Sequence, residues 1–161
     1  IQLQVKAALD YDKLLDKLRG SEGEKNIRDQ QNALITSLNL RLNGVSKKRT
    51  RLYEDYAEGL LDEAEYSFAK KSYDEQYADL SRRLDEAVQR RSKFDEAMSV
   101  DNKWITLMKS VSTATQLSQD LVDESVELVK VHEGGAVELV MKYGDIYELT
   151  IQSIKEVQEA M

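Results

Sequence analysis

Two residue types are missing altogether: the 161 residues contain no cysteine and no proline. Without cysteine the chain has no disulfide staple, no thiolate nucleophile and no Cys-ligated zinc, a composition in keeping with a reducing cytosol. An average chain of this length would hold about eight prolines. Proline is expelled from helix interiors, where it deletes a hydrogen bond and clashes with the preceding turn, so its absence predicts long uninterrupted helices. Glycine is scarce, at 7, and there is one histidine, His132. A metal site needs several converging ligands, so a lone histidine beside a turn reads as a surface residue. No apolar run approaches the roughly 18 residues of a membrane span. Residues 1–20 are amphipathic and charged, unlike a signal peptide. Neither a membrane nor a small-molecule substrate is expected as a partner, and a chain starting at Ile1 is expected to be part of a longer protein.

What is present is charge. Asp, Glu, Lys and Arg make up 33% of the chain against 41% hydrophobic residues, a mixture that reads as soluble, helical and coiled-coil-forming. The net charge of -7 is uneven: residues 1–23 are neutral, 24–58 carry +2, 59–99 carry -3 and 100–161 carry -6. A free-standing nucleic-acid binder has a basic footprint, and this chain has none overall.

Hydrophobic spacing predicts the elements. Leu3, Ala7, Tyr11, Leu14 and Leu18 form one helical stripe, which Gly20-Ser21-Glu22-Gly23 interrupts. From about Glu24 to Glu58, Ile35, Leu38, Leu42, Val45, Leu52 and Tyr56 mark a heptad seam, with Arg49 filling one seam position and Gly44 weakening it. From about Glu63 to Met98, Tyr66, Tyr73, Tyr77, Leu80, Leu84, Ala87, Phe94 and Met98 continue the same repeat, with Arg91 at the omitted position. Between the two, Gly59 suits the left-handed residue after a helix end, and Asp62 with Glu65 suits a capping box. A stop signal and a start signal so close together predict an antiparallel helical hairpin with arms of about 34 residues, or about 50 Å.

The remainder reads as a small α/β segment of few large apolar groups. Asp101 is a candidate cap for a helix with Trp104, Ile105 and Met108, followed by a loop-like Ser110–Thr115. Thr115 or Ser118 can cap a helix containing Leu121, Val122 and Val126. Leu128–His132 and Val137–Met141, flanking Glu133-Gly134-Gly135-Ala136, predict a β-hairpin. Ile146–Ile151 is the candidate third strand, and Ile154, Val157 and Met161 a final helical turn or two. The expected fold class is therefore mostly α. A long antiparallel two-helix coiled-coil hairpin (24–99, bend near 58–63) follows a connecting helix (1–23) and projects from a small α/β base (100–161, β-hairpin near 128–142).

No catalytic constellation emerges. The carboxylates fall at solvated heptad positions, and Gly20–Lys25 lacks the strand and the spacing of a phosphate loop. The basic run Lys47, Lys48, Arg49 and Arg51 is the candidate DNA contact. Its residues cover every face of a helix, so it reads first as the solvated side of a coiled coil pairing with the acidic arm. The aromatic cluster carries more information: Tyr53, Tyr56, Tyr66, Tyr73 and Tyr77 lie within 25 residues around the bend, with Leu60, Leu61 and Phe68. The end of a two-helix rod offers too few neighbours to bury them all. A protein contact is therefore expected there, through Tyr56, Leu60, Leu61 and Tyr66.

The segment Leu52–Tyr66, with Lys70-Lys71-Ser72-Tyr73 after it, resembles the LYEDYxxGxIxxxEY bend of the coiled coil in large serine recombinases, the site-specific resolvase/integrase enzymes of phages and mobile elements. Leu117–Val122 through Val129–His132 resembles the helix-to-strand segment near the end of such proteins, and Val137–Asp145 resembles the returning strand. Leu60-Leu61 stands where an isoleucine is commoner, and Gly44 interrupts the first arm. The resemblance implies a fragment downstream of a zinc-ribbon domain and of a catalytic domain with a nucleophilic serine. This chain would then be no enzyme itself and would hold no cofactor, zinc belonging to the rest of the recombinase. It also implies a coiled coil that contacts other recombinase subunits in synapsis and sets directionality, with DNA held by other domains, in a cytoplasm of bacterial or phage origin. Without such a parent, the same pattern reads as a helical-hairpin spacer or adaptor.

Overall fold

The structure, a computed structural model, describes residues 2–114 and 118–161. Thr115 and Leu117, assigned above to a cap and to the start of a motif, lie outside the described residues, as do the side chains of Leu3 and Leu121. The elements are α1 (Gln2–Leu18), α2 (Glu22–Ala57), α3 (Glu63–Met98), α4 (Lys103–Thr113), α5 (Gln119–Ser125), β1 (Val126–Val131), β2 (Val137–Met141) and α6 (Gly144–Glu159). They form two compact units, Ile1–Ile27 with Ser92–Met161, and Arg28–Arg91. The fold class is the one expected: mostly α, with two long packed helices in a hairpin and a small α/β part holding a two-stranded antiparallel sheet.

In the Arg28–Arg91 unit the seam is the predicted one. Leu38, Val45 and Leu80 are buried, with Leu42, Tyr73, Tyr77, Leu84 and Ala87 packed against them. Polar contacts keep the arms in step. Arg91 donates to Asn32 across the hairpin and Arg49 pairs with Asp74, and the two contacts are 17 residues apart on each arm. The α2 arm stops in a Schellman turn: the Gly59 amide donates to Tyr56 and the Leu60 amide to Asp55. Gly59 sits at φ 76°, a conformation that costs a side-chain-bearing residue energy. The α3 arm starts with a reciprocal capping box, in which Asp62 Oδ1 accepts from the Glu65 amide and Glu65 Oε2 from the Asp62 amide.

The other unit buries Ala8, Leu15, Leu18, Phe94, Met98, Trp104, Ile105, Leu107, Met108, Ile146, Ile154 and Val157 in one core. Trp104, Tyr11 and Tyr147 form a three-ring cluster, with centroids 6.1 Å apart for Tyr11–Trp104, 4.7 Å for Trp104–Tyr147 and 6.5 Å for Tyr11–Tyr147. Thus α1 contributes Ala8, Leu15 and Leu18 to this core. Arg19, just past its end, donates through Nε to Met98 O and through Nη2 to Ser99 O, which satisfies carbonyls that the end of α3 leaves open.

Several local expectations need correcting. The break after α1 is short: Gly20 takes φ 74°, Ser21 Oγ accepts from the Glu24 amide, and Gly23 lies inside α2. Asn102, not Asp101, caps α4. The helix continues through Thr113, its hydroxyls bonding back to the carbonyls of the preceding turn. Val126 belongs to β1 rather than to the helix before it. No third strand exists among the described residues, because Ile146–Ile151 lies in α6. There Ile146, Thr150, Ser153, Ile154 and Val157 make a buried helical stripe, and its two hydroxyl residues mask the period in sequence. The β-hairpin pairs Val131 with Val137 and Val129 with Leu139 around Gly134 and Gly135, and the register shifts once between Val126 and Leu128.

Candidate functional site

The bend motif comes together as a surface at the closed end of the hairpin. Tyr56 and Tyr66 stack across the arms, with ring centroids 4.3 Å apart and planes 16° from parallel. Leu60 follows the left-handed Gly59 and is 67% exposed, while Leu61 is half-buried. The backbone explains this. Once the Schellman turn reverses the chain and Asp62 begins a new helix, Leu60 occupies a link that no third element among the described residues covers. Two further aromatic side chains stand out on the same segments, Phe68 at 81% and Tyr53 at 62% exposure. Neither was singled out as a contact residue above. Phe68 lies two positions from the seam residue Tyr66, so the heptad count alone shows that it points away from the seam. Tyr73 and Tyr77, by contrast, pack against the buried seam.

The basic run does not act as one unit. Arg49 turns inward: Nη2 lies 2.8 Å from Asp74 Oδ1 and the guanidinium sits 4.8 Å from the Tyr77 ring centre. Lys47, Lys48 and Arg51 are exposed. Asp74 also accepts from Lys70 Nζ at 2.6 Å. The Lys70 hydrogen bond, with the attraction of Lys70 and Arg49, holds the Asp74 carboxyl below the ordinary carboxylate value, against a smaller opposing effect of burial. A carboxyl depressed in the folded state stabilises above its unfolded pKa and loses that effect as pH falls through its folded pKa. The Asp74→Asn variant should therefore melt below the native chain at pH 7, with the gap closing below the ordinary carboxylate range. Circular dichroism melts against pH measure it, and a gap constant down to acid pH would contradict the ion pair.

His132 lies at the end of the β-hairpin, its Nε2 3.0 Å from Glu138 Oε2. The His132 hydrogen bond, the largest single cause, together with the hydrogen bond and charge of Lys130, holds the Glu138 carboxyl below its usual value. Among the described residues no group of three or more His, Asp or Glu is placed to hold a metal ion, and no helix is long and apolar enough to cross a membrane. No family model, curated protein or solved structure matches the chain.

Proposed function

We propose that the chain is the non-catalytic coiled-coil and C-terminal part of a large serine site-specific recombinase. The closed end of its hairpin contacts other recombinase subunits in synapsis and helps to set the direction of recombination. The observation that carries this reading is apolar exposure within the recombinase-like motif: Leu60 is exposed on the link between Tyr56 and Tyr66, whose rings stack, and Phe68, two residues past Tyr66, is exposed as well. Exposed apolar groups gathered on one segment gain free energy when a partner covers them. Because each subunit is held on DNA, the contact is effectively intramolecular, and a small interface suffices. On this reading the nucleophilic serine, the zinc and the DNA-binding surfaces belong to other parts of the recombinase.

The test is the double substitution Leu60→Asp with Leu61→Asp in that recombinase. Each buried carboxylate opposes docking by more than the lost leucine contact alone. Paired-site complexes should fall by at least about 100-fold, an interface loss near 3 kcal/mol, while binding to a single site is unchanged. Native levels of paired complexes on a gel would remove the proposal.

A further inference from the structure

The longest acid-free stretch of this acidic chain lies in α2. Between Asp29 and Glu54 there are Arg41, Lys47, Lys48, Arg49 and Arg51 and no carboxylate, in a chain of 30 acidic residues. Folding uses one of the five cations. Arg49 turns into the seam and pairs with Asp74. Arg41, Lys47, Lys48 and Arg51 are exposed and pair with no described carboxylate. The facing arm does not neutralise them. The register that joins Asn32 to Arg91 and Arg49 to Asp74 sets Arg83 opposite Arg41 and Gln76 opposite Lys48. Flanking positions of a coiled coil commonly hold opposite charges, and here a cation faces a cation. On α3 itself Arg82 and Arg83 share Asp79, and Arg82 also reaches Glu86.

Once Arg49 is drawn inward, the other cations share one face. At 100° per residue, Arg41, Lys47, Lys48 and Arg51 fall within about a third of the helix circumference, along about 15 Å of its length. Gly44 lies among them on the same face. It is exposed, and an added Cβ there would meet nothing within 4 Å. Glycine weakens a helix interior, and no packing contact requires it here. It leaves a gap between the cations where another backbone can come close to the helix.

We infer that this face of α2 lies against the phosphate backbone of duplex DNA. The inference goes beyond the protein contact at the closed end: it uses different residues and gives the hairpin shaft a second role. The face itself selects the ligand. No large apolar side chain among residues 41–51 is exposed, and Leu40 beside them stands alone. A protein interface needs an apolar core, which this face lacks. It also has no exposed aromatic ring on which unpaired bases could stack, and that disfavours a single strand. Cations spread over about 15 Å span about four phosphates of one duplex strand at 3.4 Å each. The contact is to phosphates and reads no sequence, so it adds to the DNA-binding surfaces placed in other parts of the recombinase. Its limit is set by the closed end, where residues 52–69 carry Glu54, Asp55, Glu58, Asp62, Glu63 and Glu65 and no basic residue. Those carboxylates repel a polyanion, so the duplex lies along the shaft and leaves the closed end open to its protein partner.

Fluorescence anisotropy of a labelled 20-base-pair duplex of arbitrary sequence, titrated with the full chain, tests the inference. Micromolar binding is expected at about 20 mM salt, with log K falling against log salt at a slope of about -3, as for three to four phosphate contacts. The triple variant Arg41→Gln, Lys48→Gln and Arg51→Gln should bind at least about tenfold more weakly and flatten the slope to about -1. Glutamine is a good helix former, and circular dichroism checks that the hairpin stays folded. A control triple, Lys13→Gln, Lys25→Gln and Lys155→Gln, removes the same net charge elsewhere and should bind within about twofold of the native chain. Gly44→Leu changes no charge and favours the helix, yet it should weaken binding about threefold or more by filling the gap. No binding of the duplex at about 20 mM salt would overturn the inference. So would native affinity in the α2 triple or in Gly44→Leu, an equal loss in the control triple, or equal binding of a single-stranded 20-mer or of polyglutamate. The paired-complex test of residues 60 and 61 reads a different surface, so either reading can fail without the other.

Discussion

The Asn102→Ala variant should lose about 3 kcal/mol of stability in the unit that contains it, from a lost cap and newly unpaired buried groups. Asn102 is fully buried. Its Nδ2 donates to Ala97 O at 2.9 Å and to Thr150 Oγ1 at 2.8 Å, and its Oδ1 accepts from the Ile105 amide at 3.1 Å. One side chain thus closes the end of α3, starts α4 and holds α6. Removing it costs a helix cap, about 0.5–2 kcal/mol. It also strands the Ala97 carbonyl in the interior, a further 1–3 kcal/mol or so. Thr150 keeps its bond to Ile146 O, which limits the damage on that side. Trp104 is the single tryptophan and lies in the same core, so its fluorescence in a denaturant titration reports this unit alone. A loss under about 1 kcal/mol would show that the three bonds are replaceable by water.

Asn102→Asp separates the roles of the two amide atoms. It keeps an oxygen for the Ile105 amide but loses both N–H donors. Burial raises the pKa of the new carboxyl in the folded state. The variant is therefore least impaired below the unfolded carboxyl pKa and grows worse, relative to the native chain, as pH rises through the folded value.

The hairpin was legible from sequence because every level agreed: heptads on both arms, a glycine where the chain must turn left-handed, and a capping box three residues later. These signals are local, and a local signal survives whatever the rest of the chain does. The α/β part was less legible where core positions are polar. Thr150 and Ser153 are buried in the middle of α6, so an alternating apolar pattern fits the sequence there as well as a helical one. Asn102 is invisible to any apolar count for the same reason. At the hairpin end, exposure of Leu60 followed from the absence of a third layer and was readable. The juxtaposition of Lys47–Arg51 with Lys70-Lys71 was not, because these residues are distant in sequence and become neighbours only once the arms are in register.

The same substitution should act with opposite signs at two glycines of α2. At Gly44 an added Cβ meets nothing within 4 Å. Gly44→Ala removes backbone freedom from an exposed helix interior and should raise stability by about 1 kcal/mol. At Gly23 the added Cβ would lie 2.3 Å from Val157 O and 2.7 Å from Met161 Cγ. Met161 can swing aside, since it is an exposed terminal side chain. The Val157 carbonyl cannot, because it belongs to α6, and the Val157 side chain is fully buried in the core. Gly23→Ala must therefore push α6 away from α2, stretching the 3.2 Å bond from Asn26 Nδ2 to Ala160 O and loosening Ile154 and Val157. Overpacking of this kind costs about 1–3 kcal/mol. Because Gly23 lies in the first turn of α2, little helix propensity is regained, and the net loss should be about 2 kcal/mol. Trp104 fluorescence reads this loss, whereas the Gly44 gain shows only in the far-ultraviolet dichroism. A neutral Gly23→Ala would mean that α2 and α6 approach less closely than these distances require.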